Sequence, residues 1–197
     1  MTLPRLHAVT DDRVLALPDF LDRARAMALG PAVALHVRTR RDGAFALKIT
    51  DRLVALAAES GTQVIVNDRA DVAALVGAAG VHLPANGMPV HAAREAGPTP
   101  WWVGQSTHTA MSALASTADW AFLGPIWPTA SHADRPALGA EALRGAGPRV
   151  VAIGGLTPVR AREAVQAGAI GIAAVSALWD APDAGAAAHA FLLSFDP

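Results

Sequence analysis

Residues Arg149 to Trp179 read R-V-V-A-I-G-G-L-T-P-V-R-A-R-E-A-V-Q-A-G-A-I-G-I-A-A-V-S-A-L-W. The apolar run R-V-V-A-I-G-G breaks at two glycines, and Thr157 then stands as a helix N-cap with Pro158 in the first turn. An alanine-rich segment with helical spacing follows, Gly168 stops it, and a second apolar run, I-G-I-A-A-V-S, begins at Ile170. This is a strand, a crossover helix and a second strand. Strands that are apolar almost throughout are covered on both faces, and crossover helices make them parallel.

The same grammar runs back through the chain. Six further runs precede this unit: R-L-H-A-V-T at Arg5, A-V-A-L-H-V-R at Ala32, T-Q-V-I-V-N at Thr62, A-G-V-H-L at Ala79, W-W-V-G-Q-S at Trp101 and W-A-F-L-G at Trp120. Helical segments such as L-P-D-F-L-D-R-A-R-A-M-A and K-I-T-D-R-L-V-A-L-A-A-E lie between them. Eight such units in a chain of 197 residues predict an α/β fold, a single (β/α)8 TIM barrel, with an open doubly wound sheet as the alternative. No stretch is long or biased enough to act as a linker, and P-T-A-S-H-A-D-R-P, from Pro128 to Pro136, reads as a loop after the sixth strand, so residues 1–197 are taken as one domain.

Composition narrows the chemistry. With 16 Lys+Arg against 17 Asp+Glu and no basic tract, neither nucleic acid nor an anionic membrane surface is an expected partner. The most apolar late segment, Ala169 to Trp179, is far shorter than the roughly 20 residues that cross a bilayer. The N-terminus carries Asp11 and Asp12 where a secretion signal would be apolar, and Cys 0 leaves no disulfide, thiolate ligand or cysteine nucleophile. A cytoplasmic enzyme working with His, carboxylates, hydroxyls or backbone dipoles fits these facts.

In a barrel the residues just past the strand C-termini build the active site. After the seventh strand Gly154 and Gly155 let backbone amides approach an oxyanion, and Val175 and Ser176 open a helix after the eighth. Together they read as a phosphate site; a bare tight turn is the plainer reading of the glycine pair. Arg38 and Arg40 leave the second strand at alternate positions, so both point the same way and suit a carboxylate or phosphate, although a solvated surface role suits Arg40 equally well. His36 shares their parity and is expected to face the barrel interior in an orienting or core role. Asn67 and Asp68 close the third strand, either as site residues or as caps for the helix beginning near Arg69. His108, beside Ser106 and Thr107 after the fifth strand, is the expected proton-transfer group, since imidazole titrates near neutrality; its competing role is a polar residue in a turn capped by Thr109.

Taken in order, L-H-A-V-T-D-D, A-L-H-V-R-T-R, V-I-V-N-D-R-A-D-V-A, G-V-H-L, G-Q-S-T-H-T, A-D-W-A-F-L-G-P-I-W-P-T, V-V-A-I-G-G-L-T-P and G-I-A-A-V-S-A-L-W resemble the thiamine phosphate synthase and thiazole tautomerase (TenI-type) superfamily over essentially the whole chain. The resemblance implies a (β/α)8 barrel whose late loops hold a thiazole phosphate. Its synthase branch joins an aminopyrimidine pyrophosphate to thiazole phosphate, using a glutamine-x-arginine-x-lysine strand end, paired aspartates for magnesium and a threonine-x-threonine-lysine loop for pyrophosphate. Here those positions hold His36, Arg38 and Arg40; Asp68 with Gly87 in place of the second aspartate; and Thr129, Ala130, Ser131 and His132. H-x-R-x-R and H-L-P-x-x-G are similar to the tautomerase branch, which needs neither metal nor pyrophosphate.

The resemblance therefore implies a thiazole tautomerase, an isomerase in which His108 moves a proton to aromatise a carboxythiazole ethyl phosphate tautomer. Gly154, Gly155, Val175 and Ser176 would hold the phosphate, Arg38 and Asn67 the carboxylate end, and Arg40, Ser106 and Thr129 would complete the substrate contacts. No cofactor is expected on this reading; magnesium at Asp68 belongs to the synthase alternative. A third reading is a non-catalytic regulatory homologue that binds thiazole phosphate. Alanine-rich helix faces and five tryptophans leave room for a homodimer.

Overall fold

The computed structural model describes residues 3–129 and 135–196. Eight strands occur in order: β1 (Leu6–Val9), β2 (Val33–Val37), β3 (Gln63–Asn67), β4 (Gly80–Leu83), β5 (Trp102–Thr107), β6 (Trp120–Leu123), β7 (Val150–Ile153) and β8 (Gly171–Ala174). Each pairs in parallel with its neighbours, and β8 closes on β1, so the sheet is a barrel and the open-sheet alternative falls. Between the strands lie α1 (Phe20–Met27), α2 (Gly43–Ala58), α3 (Ala70–Leu75), α4 (Val90–Ala96), α5 (Ala110–Ala115), α6 (Glu141–Arg144) and α7 (Pro158–Gln166); α8 (Ser176–Trp179) and α9 (Ala184–Leu192) follow β8. Among the described residues no helix is long and apolar enough to cross a membrane.

The unit read from Arg149 to Trp179 forms as expected. The Thr157 hydroxyl accepts from the Arg160 amide, Pro158 occupies the first turn, and Gly168 ends the helix at φ 107°, a conformation that costs a residue without Cβ little.

Strand alternation divides the apolar residues between two layers. Leu6, Leu35, Val64, Val81, Val103, Leu123, Val150 and Ile172 face outward and pack beneath the helices. Val9, Ala34, Ile65, Trp120, Phe122, Val151 and Ala173 face inward and fill the barrel. Trp120 is 1% exposed and its indole crosses the barrel over Gly104, where a Cβ would lie 2.3 Å from ring carbon Cε2; only glycine fits opposite it. The interior is therefore a packed plug, and chemistry is confined to the rim at the strand C-termini.

Candidate active site

A cleft of about 360 Å³ opens at that rim. Arg38 and Arg40 both face it, as their alternate spacing requires, and Asn67, Asp68, Ser106, His108 and Gly154 line it from three other strand ends. Thr129, Gly155, Val175 and Ser176 stand at the same end of the barrel but outside the lining of this cleft. Ala130, Ser131 and His132 lie outside the described residues.

His108 has a defined hydrogen-bonding state. Its Nδ1 lies 3.2 Å from the Gly124 carbonyl oxygen, which only accepts, so Nδ1 bears a hydrogen there, and the ring lines the cleft. The turn reading also holds for its neighbour, because Thr109 caps α5 in a capping box with Ser112.

Asp68 is no cap. The N-cap of α3 is Arg69, one residue later, and its side chain makes no capping bond, pairing instead with Asp71. Asp68 takes φ 66°, the left-handed region that Asp tolerates better than most residues, and its exposed side chain faces the cleft. Among the described residues no group of three His, Asp or Glu gathers to hold a metal, and Asp68 is the carboxylate among the residues that line the cleft.

Beneath the rim three histidines share the barrel interior. His7 Nδ1 lies 2.9 Å from His36 Nε2, His36 Nδ1 lies 3.2 Å from Asn67 Oδ1, and His82 Nε2 lies 2.9 Å from Ser106 Oγ. Phe122 packs against all three rings. Loss of hydration disfavours their charged forms: His36 is lowered to about 4, against an opposing contribution from Asn67. His7 and His82 also fall well below the ordinary value, by burial first and by repulsion from His36 second, while the Pro4 carbonyl opposes the fall at His7. All three are neutral at pH 7. His36 lies in the barrel interior as expected, and it reaches one site residue, Asn67, rather than touching the cleft itself.

Three contributors were not legible beforehand. The Asp12 carboxylate accepts from the Thr39 hydroxyl and from the Arg40 amide at 3.2 Å, fixing the loop that carries both arginines. Thr39 is also the leading cause that holds the Asp12 carboxyl below its ordinary range. Arg160 Nη1 donates to the Gly155 carbonyl at 2.6 Å. Arg135 brings a third guanidinium to the cleft. The quoted L-H-A-V-T-D-D carried a signal for Asp12, a second carboxylate at a strand end; nothing in the order of residues points from Arg160 or Arg135 to the site.

The glycine pair lies where close approach is required. Gly154 and Gly155 take φ 96° and 64°, and a Cβ on Gly155 would meet the Pro128 carbonyl at 2.5 Å. The loop after β6 thus seats directly on the turn after β7, held by Trp127 N–H to the Gly154 carbonyl at 3.1 Å.

A family model described as thiamine monophosphate synthase matches residues 6–178. The chain belongs to the thiamine monophosphate synthase family. Among family members, a thiamine-phosphate synthase from Methanospirillum hungatei is 34% identical over 195 residues, covering 94% of this chain and 95% of its own. A thiamine-phosphate synthase from Thermus thermophilus is 36% identical over 200 residues, 95% of each chain. The thiamine phosphate pyrophosphorylase from Pyrococcus furiosus superposes with a TM-score of 0.81 at 30% identity, over 96% of this chain and 94% of that one. A 3-hexulose-6-phosphate synthase at 18% identity and TM-score 0.70 shares the fold alone.

Membership in the thiamine monophosphate synthase family through these relatives corrects the tautomerase expectation: they are synthases, hence transferases, and the isomerase reading falls. That expectation weighed two missing groups, the aspartate replaced by Gly87 and the lysine replaced by His132. It read Arg38 and Arg40 as substrate contacts, not as pyrophosphate ligands, and did not include Arg135. Arg38, Arg40 and Arg135 all face the cleft, and guanidinium binds phosphate oxygens bidentately where ammonium acts as a point charge.

Proposed function

We propose that this protein is a thiamine-phosphate synthase: it transfers the aminopyrimidine methylene group from its pyrophosphate to the ring nitrogen of thiazole phosphate, breaking a carbon–oxygen bond, forming a carbon–nitrogen bond and releasing pyrophosphate. The observation that carries the reading is the convergence of three arginines and one carboxylate on a single cleft.

Departure of pyrophosphate builds negative charge on the leaving oxygens and positive charge on the methylene carbon. Fixed positive groups aimed at those oxygens lower the barrier because they need no reorganisation as the charge develops. Arg38, Arg40 and Arg135 are the groups assigned that task, with Asp12 holding the loop that carries the first two. Asn67 and Ser106, both at the cleft and both hydrogen-bonded from behind, are assigned to the pyrimidine ring. His108, held through Nδ1 by the Gly124 carbonyl, is assigned proton transfer at the cleft. The amides of Gly154, Gly155, Val175 and Ser176 are assigned to the thiazole phosphate, with Thr129 in the loop seated on Gly155.

Magnesium commonly binds through one or two carboxylates plus substrate phosphate oxygens. The donor set fits the lower end of that range, Asp68 being the single carboxylate on offer, and the ion would add charge neutralisation at the pyrophosphate. With Gly87 in place of the second aspartate, the arginines carry a larger share of that charge than a two-aspartate site would require.

The direct test is pyrophosphate release with both substrates and magnesium present. Release that depends on both substrates is expected; a folded protein that releases none overturns the reading.

A further inference from the structure

We infer that His36 and His7 are positioning residues, forming a buried relay that fixes the Asn67 side chain so that its amide NH2 faces the cleft as a donor to the pyrophosphate-bearing substrate. Neither histidine touches the cleft, and neither is part of the machinery described above.

Strand register builds the relay. On β1 and β2, His7 pairs with Ala34 and Val9 with His36, so the two rings sit one inward position apart on adjacent strands. On β3, Ile65 pairs with His36, and Asn67 is the next inward residue toward the rim, where its amide overhangs the His36 ring. His7 is 1% exposed and His36 0%, so both rings lie away from bulk solvent.

The direction of the relay follows from donor and acceptor counting. Asn67 Oδ1 only accepts, so His36 Nδ1 bears a hydrogen and donates to it. A neutral His36 then has a lone pair on Nε2, which must accept, so His7 Nδ1 bears a hydrogen and donates in turn. At its far end the relay leaves His7 Nε2 without a hydrogen-bond partner among the described residues. At the near end both Asn67 N–H groups are turned away from His36. Asn67 lines the cleft, so they face what binds there.

What this arrangement contributes is preorganisation. A free asparagine amide flips between donor and acceptor presentations, whereas one whose oxygen is held from behind presents donors before the substrate arrives. Acceptors of the required kind are a ring nitrogen of the pyrimidine or a pyrophosphate oxygen. The protonation of His36 is also the less common one for histidine, Nδ1–H rather than Nε2–H, which makes it measurable.

The inference rests on the synthase reading only for its kinetic consequence, so it is tested in two arms. In the first, long-range 15N–1H correlation on the uniformly labelled protein should show His36 and His7 as neutral Nδ1–H tautomers at pH 7. A His36 found as the Nε2–H tautomer, or charged, overturns the relay whatever the activity. In the second, His36→Leu should lower kcat/KM for the aminopyrimidine pyrophosphate at least tenfold with KM for thiazole phosphate unchanged. His36→Gln, which keeps an N–H for Asn67 Oδ1, should recover most of that loss. Loss in both variants alike, or in neither, with the native circular dichroism retained, contradicts the positioning role. Should the wild-type protein show no synthase turnover while the tautomers are as stated, the activity reading fails and the relay stands.

Discussion

Arg160 donates from Nη1 to the carbonyl oxygen of Gly155 at 2.6 Å, across the first turn of α7. Both glycines of this turn have positive φ, and a carbonyl drawn toward Arg160 keeps its negative end away from any anion approaching the amides. Arg160→Ala is therefore expected to raise KM for thiazole phosphate about five- to tenfold, the range of one charge-assisted hydrogen bond in a positioning role, with kcat little changed. Steady-state kinetics with the thiazole substrate varied measures this; an unchanged KM removes Arg160 from the account.

Asp12 makes the corresponding arrangement on the other side of the cleft. Its carboxylate ties the Thr39 hydroxyl and the Arg40 amide, so Asp12→Ala frees the segment carrying Arg38 and Arg40. Because small displacements of positioned groups are costly in rate, we expect kcat/KM for the aminopyrimidine pyrophosphate to fall about tenfold or more, while the thermal midpoint moves only slightly. A large fall in the midpoint with normal kinetics in the surviving protein would assign Asp12 to stability alone.

The buried histidines make stability depend on pH in a definite direction. The folded-state value of His36 is about 4, below the 6.5 of the ordinary side chain, so the unfolded chain takes up its proton first as pH falls. The stability contributed by keeping His36 neutral is complete above about pH 6.5 and lost between there and about 4, a change of roughly 3 kcal/mol at about 1.4 per pH unit. His7 and His82 shift in the same direction and steepen the loss. Urea unfolding at pH 7.5 and 4.5 reads the difference, which should shrink in His36→Leu. Equal midpoints at the two pH values would contradict the burial of neutral rings.

Gly104 opposes the Trp120 indole so closely that a methyl group has nowhere to go. Gly104→Ala should cost at least 1–3 kcal/mol, the usual range for overpacking a filled core, and more if the indole must change rotamer. A denaturant midpoint within error of the wild type would show that the barrel interior can give way there.

The barrel was legible in the order of residues because parallel strands buried on both faces leave uninterrupted apolar runs. Val150–Ile153 and Gly171–Ala174 stand out against the capped, alanine-rich helix between them. His108, Arg38 and Gly154 were legible for a related reason: a strand C-terminus marks the rim. The relay was not. His7 and His36 are separated by a whole helix, and only the pairing of β1 with β2 in its particular register shows that they touch. Activity was misjudged at the same level. Gly87 and His132 are visible as missing groups in a line of text, whereas the approach of Arg135 to the cleft that Arg38 and Arg40 line exists only in three dimensions.

The central claim is that this cleft joins two substrates with loss of pyrophosphate. One incubation tests it: the purified protein with aminopyrimidine pyrophosphate, thiazole phosphate and magnesium, followed by mass spectrometry of the products. The account predicts thiamine phosphate and pyrophosphate in equal amounts, lost together in Arg38→Ala. Recovery of both substrates intact from folded protein would contradict it.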